Sequence, residues 1–177
     1  DGSITENDRT QIGNPHPDFT LGLNLNFSYK GFDLNVTGTG AFGQQIAKSY
    51  RSFADSPLQN YTTDIFGRWT GEGTSNKLPR LTSGSHTNWQ NISDIYIEDG
   101  DYLKIQNLTI GYDFKKLFPS MPLGQARLYF TAQNLITFTG YSGMDPEIGY
   151  GYGKSWVSGI DLGYYPSPRT YMVGVNL

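Results

Sequence analysis

An unbroken alternation of apolar and polar residues between Phe19 and Tyr29 constrains the fold more than any other feature of the sequence. Successive side chains of a β-strand point to opposite faces, so this run of 11 residues predicts one strand with an apolar face and a polar face. A Lys-Gly pair follows, and the alternation resumes from Phe32 to about Phe42. Two alternating runs around a two-residue turn predict a β-hairpin.

Three later segments alternate in the same way: 102–114, 126–139 and 169–177. The alternation changes phase near Gln106 and again near Asn134, which predicts a β-bulge or a change of environment. The sequence therefore predicts an all-β, antiparallel protein of about five strands.

The connections between the five predicted strands alternate between short and long. The long ones cover about 43–101 and 140–168, and no alternation lasts within them, although Ile46 to Ala54 could form a short helix. Transmembrane β-barrels have short turns at one end and long loops at the other, and their tilted strands need about 9–11 residues. A wall with lipid on one face and a wet lumen on the other also explains why only 37% of the residues are hydrophobic.

The pattern thus favours a segment of an antiparallel transmembrane β-barrel. Since common membrane barrels have about eight strands or more, five predicted strands indicate part of a larger barrel. The alternative is a soluble β-sandwich that binds carbohydrate or mediates adhesion, because sandwich strands alternate too. A sandwich does not, however, predict that short and long connections alternate along the chain.

Composition excludes several other classes. The net charge of −3 argues against a nucleic-acid partner. The sequence contains no cysteine and only two histidines, which excludes disulfide scaffolds, cysteine-rich zinc sites and cysteine nucleophiles. Gly38, Gly40 and Gly43 spell a GxGxxG motif, but the preceding run alternates as an antiparallel strand does, and we interpret the glycines as small residues facing the lumen. No arrangement of residues indicates catalysis, so the sequence predicts that the protein is not an enzyme and needs no organic cofactor.

Four stretches that span nearly the whole chain resemble the C-terminal end of SusC/RagA-type TonB-dependent outer-membrane transporters of Bacteroidetes. They are DRTQIGNPHPDFTLGLNLNFSYKGFDL at 8–34, EDGDYLKIQNLTIGYDF at 98–114, RLYFTAQNLITFTGYSGMDPE at 127–147 and GYYPSPRTYMVGVNL at 163–177. The resemblance implies that residues 1–177 are the C-terminal part of the receptor barrel and supply the last five of about twenty-two strands. It implies that the plug domain is absent from this chain. Family members usually end in an aromatic residue, whereas this sequence ends in Leu177.

The resemblance also implies a function. The chain would be part of an importer in the bacterial outer membrane that takes up oligosaccharides or peptides, with lipid around the barrel and the long loops outside the cell. A SusD-like surface lipoprotein would cover the extracellular mouth, and TonB would supply energy through the missing N-terminal part.

Aromatic and acidic residues in the long loops are candidates for contact with substrate or partner, because aromatic faces stack on sugar rings and grip peptide side chains. An equally good interpretation is that they pack the loops internally. The candidates are Trp69, Trp89, Tyr141, Asp145, Glu147, Tyr150, Tyr152 and Trp156.

The first eight residues resemble the second half of an Asp-rich calcium loop. Asp1, Thr5 and Asp8 would supply side-chain oxygens and Ser3 its carbonyl, which are the ligands that Ca²⁺ prefers. A plain polar turn is the alternative.

Overall fold

The computed structural model describes residues 6–50, 63–81, 93–147 and 158–177. The chain forms two compact units. The strand unit comprises Pro17–Gly43, Asp101–Gly140 and Pro166–Leu177, and the loop unit comprises Asp1–His16, Gln44–Gly100 and Tyr141–Tyr165.

The described residues contain eight strands in two sheets. In chain order they are β1 (Phe19–Tyr29), β2 (Phe32–Phe42), β3 (Gln45–Lys48), β4 (Ile97–Asp99), β5 (Tyr102–Asp113), β6 (Arg127–Thr139), β7 (Ile160–Asp161) and β8 (Thr170–Asn176). Short 3₁₀ turns cover Glu6–Asp8, Thr63–Gly67, Asp94–Tyr96 and Phe114–Lys116. No helix among these residues is long and apolar enough to cross a membrane.

The strand unit is one antiparallel sheet in the order β1-β2-β5-β6-β8. The five predicted strands are confirmed to within two residues at each end. Within the described residues the sheet does not close, because β1 and β8 lie at its two edges. An open, all-β antiparallel sheet is what a barrel segment requires.

The register separates the two faces of this sheet completely. Residues directly opposite each other in an antiparallel pair point to the same side. On one side of the sheet, every paired residue is aliphatic, aromatic or glycine. This apolar face comprises alternate residues of β1 (19 to 29), of β2 (32 to 42), of β5 (103, 105, 108, 110, 112), of β6 (128, 130, 132, 136, 138) and of β8 (171, 173, 175).

A bulge at Gln106, with a register shift on the ladder to β2 and another on the ladder to β6, accounts for both changes of phase in the sequence. Asn107 pairs with Gln133 and Ile105 with Ile136, so Gln106 lies opposite Asn134 and Leu135. Asn134 adopts a φ of +51°, in the left-handed region that asparagine tolerates. The bulge returns Ile105 and its neighbours to the apolar face, which keeps that face continuous along β5.

The GxGxxG motif is antiparallel strand, so the nucleotide-binding interpretation is excluded. The lumen-facing assignment, however, is wrong for Gly38 and Gly40. They pair with Leu23 and Leu21 and so lie on the apolar face. A Cβ atom on Gly38 would lie 2.8 Å from the backbone oxygen of Lys104, and this close approach explains the small residue.

Side-chain hydrogen bonds run across the polar face of the sheet. Asn26 Nδ2 donates to Asn24 (2.9 Å), Asn35 Nδ2 donates to Asn26 (2.6 Å), and Asn107 Nδ2 lies 3.5 Å from Asn35 Oδ1. Farther along, Thr109 Oγ1 on β5 lies 3.0 Å from Thr131 Oγ1 on β6. Uncharged polar side chains thus form a continuous ladder from β1 to β6.

The long connections contain short strands of their own. Within 43–101 the chain forms β3 and β4, and within 140–168 it forms β7. The short helix predicted from Ile46 to Ala54 is wrong over Ile46–Lys48, which belongs to β3, whereas Ser49 and Tyr50 are helical and the remaining positions lie outside the described residues. These strands are only two to four residues long, too short for alternation to be visible in a sequence.

Candidate functional site

The centre of the loop unit is a three-stranded sheet in the order β4-β3-β7. β3 pairs antiparallel with β4 and parallel with β7, so it is covered on both edges. Ile46 and Lys48 lie on one face of β3, with 1% and 4% of their surface exposed. Gly100 makes this packing possible, because a Cβ atom there would lie 2.7 Å from Ile46. The central strand therefore carries a lysine into the interior.

The ammonium group of Lys48 is held by two partners from distant parts of the chain. Its Nζ atom lies 2.9 Å from Glu98 Oε1 on β4 and donates to the hydroxyl of Ser142. Ser142 in turn donates to Glu98, from its hydroxyl at 2.9 Å and from its backbone N–H at 3.0 Å. Each of these three side chains thus has a hydrogen-bond partner, and Lys48, which is buried, has the partners that a buried polar group requires.

Electrostatics favour the charged form of Glu98. Burial alone would raise the pKa of this carboxylate, but the hydrogen bonds from Lys48 and from Ser142, together with the lysine charge, lower it below its usual value. Buried Lys48 and partly exposed Glu98 therefore form an ion pair in which the charged form of the carboxylate is favoured.

Tyr141 and Asp161 extend the same group of side chains. The Tyr141 hydroxyl donates to Asp161 Oδ2 at 2.6 Å, and the N–H of Gly163 donates to Asp161 Oδ1 at 2.7 Å. Lys48 Nζ lies 6.0 Å from the centre of the Tyr141 ring, within range of a cation–π contact. Burial, then the hydrogen bond to Asp161 and its charge, raise the pKa of Tyr141 above its ordinary value. We call Lys48, Glu98, Tyr141, Ser142 and Asp161 the Lys48 cluster.

A cavity of about 720 Å³ borders the Lys48 cluster. Lys48, Glu98 and Ser142 line one part of it. The remaining described lining residues are Asp64, Gly67, Ser75, Asn76, Lys77, Leu78, Asp94, Ile95, Tyr96 and Ile97. Backbone and side-chain polar groups with a few apolar side chains give a surface suited to a small polar ligand or to a peptide segment.

The contact between Ser142 and Lys48 does not make a nucleophile. A Ser–Lys pair acts in catalysis only when the lysine is neutral and takes the serine proton. Here Lys48 Nζ donates to the serine hydroxyl, and that hydroxyl donates its own hydrogen to the carboxylate of Glu98 rather than to the lysine. The arrangement therefore supports binding and stability rather than acyl transfer.

The structure separates the predicted contact residues. Trp69 is 40% exposed and lines a second cavity of about 540 Å³ with Ser75–Arg80. Tyr141 is buried, which favours the internal-packing interpretation for that residue. The Asp145 carboxylate accepts the backbone N–H of exposed Glu147 at 3.0 Å. Trp89, Tyr150, Tyr152 and Trp156 lie outside the described residues.

The predicted calcium ligands remain a prediction. Asp8 lies exposed at the end of the first 3₁₀ turn, and Asp1, Ser3 and Thr5 lie outside the described residues. Within the part of the chain that the structure describes, no group of three His, Asp or Glu side chains could hold a metal ion.

The chain is similar to known proteins over its whole length. It is 35% identical over 181 residues to TonB-dependent receptor P3 of Formosa agariphila and 26% identical over 178 residues to TonB-dependent receptor SusC of Bacteroides thetaiotaomicron, and each alignment covers 99% of this chain. Its fold matches the RagAB peptide importer in the closed-closed state with a TM-score of 0.76, at 25% identity and over 99% of this chain. No protein-family model matches it.

The resemblance to SusC/RagA-type TonB-dependent receptors is confirmed. The chain spans 18% of receptor P3, 16% of SusC and 19% of the matched RagAB chain. These SusC/RagA-type relatives are receptors and transporters, and none of the three is named as an enzyme. The match covers the Lys48 cluster as well as the five-stranded sheet.

Sequence reasoning missed most of the Lys48 cluster. Tyr141 was a candidate, but Lys48, Glu98, Ser142 and Asp161 were not. Lys48 and Glu98 are 50 residues apart, and each lies in a segment without visible periodicity. The residues around Lys48, QQIAKSY at 44–50, are mostly polar, and nothing in them indicates a buried lysine or its partner.

Proposed function

We propose that this chain forms part of the barrel wall and extracellular loops of a TonB-dependent importer in the bacterial outer membrane. The single observation that carries the proposal is the apolar face of the strand unit. A membrane barrel needs apolar side chains toward lipid and polar side chains toward the lumen, and the register supplies both faces.

Exposure favours the membrane wall over the soluble alternative. A β-sandwich would bury the apolar face against a second sheet. Instead, Leu25 is 54% exposed, Ile110 44% and Val173 73%. Nine aliphatic and aromatic residues that a membrane barrel must present together toward lipid do lie on the same side of one sheet. They are Leu21, Leu23, Leu25, Leu34, Val36, Ile110, Tyr112, Val173 and Val175.

The proposal includes orientation and partners. The short turns would lie in the periplasm, and the loop unit would lie outside the cell, where a SusD-like lipoprotein and the substrate approach. The likeness to the RagAB peptide importer supports a peptide as cargo, and the resemblance to SusC/RagA-type transporters implies an oligosaccharide as the alternative. TonB would act on the remainder of the full-length protein. Trp69, Glu147 and the cavity beside the Lys48 cluster would contact substrate or partner.

Growth of the source bacterium tests the proposal. Deletion of the gene should abolish growth on one class of oligosaccharide or peptide as the sole nutrient, and a plasmid copy should restore it. A strain without TonB should show the same defect. Normal growth of the deletion strain on every glycan and peptide tested, together with recovery of the protein in the soluble fraction, would contradict the assignment.

Affinity purification tests the partner. A tag on the full-length protein should recover a surface lipoprotein from detergent-solubilised membranes. Recovery of the receptor alone, under conditions that preserve its nutrient uptake, would argue against a stable lipoprotein partner.

A further inference from the structure

The end of the five-stranded sheet that carries the short turns combines lysines with exposed apolar side chains. The β1–β2 turn contributes Lys30, and the β5–β6 connection contributes Lys115, Lys116, Leu117 and Phe118. We call Lys30 and Lys115–Phe118 the rim. Leu117 is 58% exposed and Phe118 53%, beyond the ends of the strands.

The two turns contact each other and bring their lysines to one place. The N–H of Asp113 donates to the backbone oxygen of Gly31 at 2.9 Å. A Cβ atom on Gly31 would lie 3.2 Å from Cβ and Cγ of Lys116, so the stem of Lys116 packs against the β1–β2 turn. Gly31 has a φ of +94°, which fixes this tight turn. Lys30 and Lys116 therefore lie on adjacent turns.

The acidic side chains near the rim are already used. Asp33 accepts two hydrogen bonds from Arg127, at 2.8 and 2.5 Å. Asp113 accepts the backbone N–H of Lys115 at 3.0 Å. Among the described residues, no carboxylate lies at salt-bridge distance from Lys30 or Lys116. The rim thus carries positive charge for which the described protein supplies no counter-ion.

Aromatic rings connect the rim to the apolar face. Phe32 and Tyr112 pack with their ring centres 4.5 Å apart, and Tyr112 and Phe114 pack edge to face at 5.1 Å. Lys30 Nζ lies 5.2 Å from the centre of the Tyr29 ring. Aromatic side chains with lysines beside them are typical of the boundary between acyl chains and head groups.

We propose that the rim docks on the phospholipid leaflet at the short-turn end of the barrel and selects anionic head groups. Leu117 and Phe118 insert among the acyl chains, and Lys30 and Lys116 bind the head-group phosphate. The occupant is lipid because the rim continues the lipid-facing surface of the sheet and carries unmatched positive charge. The inference rests on the proposed membrane location of the sheet.

Binding of phosphatidylglycerol tests the charged half of the proposal. The full-length protein in detergent is titrated with phosphatidylglycerol or phosphatidylcholine, and bound lipid is counted by native mass spectrometry. A lysine near an anionic surface contributes about 1 kcal/mol, so the double variant Lys30→Gln with Lys116→Gln should lose about 30-fold in preference for phosphatidylglycerol. The control Arg9→Gln with Lys77→Gln removes two positive charges from the loop unit and should keep the preference. Equal preference in the rim variant and in this control would overturn the proposal.

Depth quenching tests the apolar half. A cysteine that replaces Phe118 is labelled with bimane in vesicles that contain brominated lipids, in a background without other cysteines. The reference is the same label at Val173, on the apolar face. Quenching at both positions supports the rim. Quenching at Val173 alone overturns the rim proposal and leaves the barrel wall intact, whereas quenching at neither overturns the membrane proposal itself. If the label at Phe118 is protected from aqueous quenchers but is not quenched by brominated lipid, the rim contacts a protein partner. That result would also overturn the rim proposal.

Discussion

The two units of this chain are held together in different ways. In the strand unit, β1 and β2 pair over eleven residues each, and the neighbouring strands pair almost as extensively. In the loop unit, β3 pairs with β4 at three positions and with β7 at two. Such a short ladder stabilises little by itself, so buried side chains such as Ile46 and Tyr96, together with the Lys48 cluster, join the segments of the loop unit. The comparison indicates that a regular pattern stabilises the wall, whereas a few side chains stabilise the loops.

A charge introduced on the apolar face should destabilise the protein most, and the same charge on the polar face should have a much smaller effect. Leu25→Arg places a guanidinium on the lipid side near the middle of β1 and should cost about 2–4 kcal/mol. Asn24→Arg, one residue earlier on the polar face, should cost far less. Urea unfolding of the full-length protein in bilayers measures both. Equal losses would contradict the assignment of the faces.

Removal of the buried ammonium should weaken the loop unit alone. Lys48→Met leaves Glu98 without its charged partner, and because Glu98 is partly exposed we expect a loss of about 1–3 kcal/mol. Hydrogen exchange should become faster in β3 and β4 and stay unchanged in β1 and β2. Lys77→Met, at an exposed position, is the control. If protection is lost equally in both units, the loop unit is not independently stabilised.

Acid should act on the loop unit through Glu98. Its pKa in the folded protein lies below 4.5, the ordinary value, so its ion pair stabilises fully above pH 4.5 and the stabilisation is lost as the pH falls further. Hydrogen exchange of β4 should therefore accelerate in acid relative to β1. Glu98→Gln should remove this dependence. Persistence of the acid effect in that variant would assign it to another group.

High pH should destabilise the loop unit through Tyr141. Because the folded-state pKa of Tyr141 lies above the ordinary 10.0, its hydrogen bond to Asp161 contributes stability below pH 10 that is lost as the pH rises further. Tyr141→Phe should remove the alkaline loss of protection in β7 and should lower protection at neutral pH, since Asp161 Oδ2 then loses the donor that Tyr141 supplies. An unchanged alkaline response would exclude this pair.

Loss of one link in the polar ladder should have the smallest effect. Thr109→Val removes the hydrogen bond to Thr131, which is worth about 0.5–1.5 kcal/mol at most, and water in the lumen should satisfy the remaining hydroxyl. Urea unfolding should barely change. A loss as large as that of Leu25→Arg would mean that the polar face is dry and packed rather than wet.

Local pattern accounts for most of the strand unit. The alternation in Phe19–Tyr29 and Phe32–Phe42 depends only on the direction of successive side chains, so it predicts strand ends and faces without any knowledge of partners. Even the two changes of phase were visible. That Gln106 and Asn134 meet in a single bulge was not, because the bulge depends on how two strands align.

The sequence by itself determined the five membrane strands, their two faces and the order of short and long connections. Tertiary structure alone decided the loop unit, where Lys48 meets Glu98 and Ser142 across 50 and 94 residues. The physical reason is the range of the interactions. Alternation is a property of neighbouring residues along one strand, whereas a buried ion pair requires that distant segments first be brought together, and no local pattern specifies which segments those are.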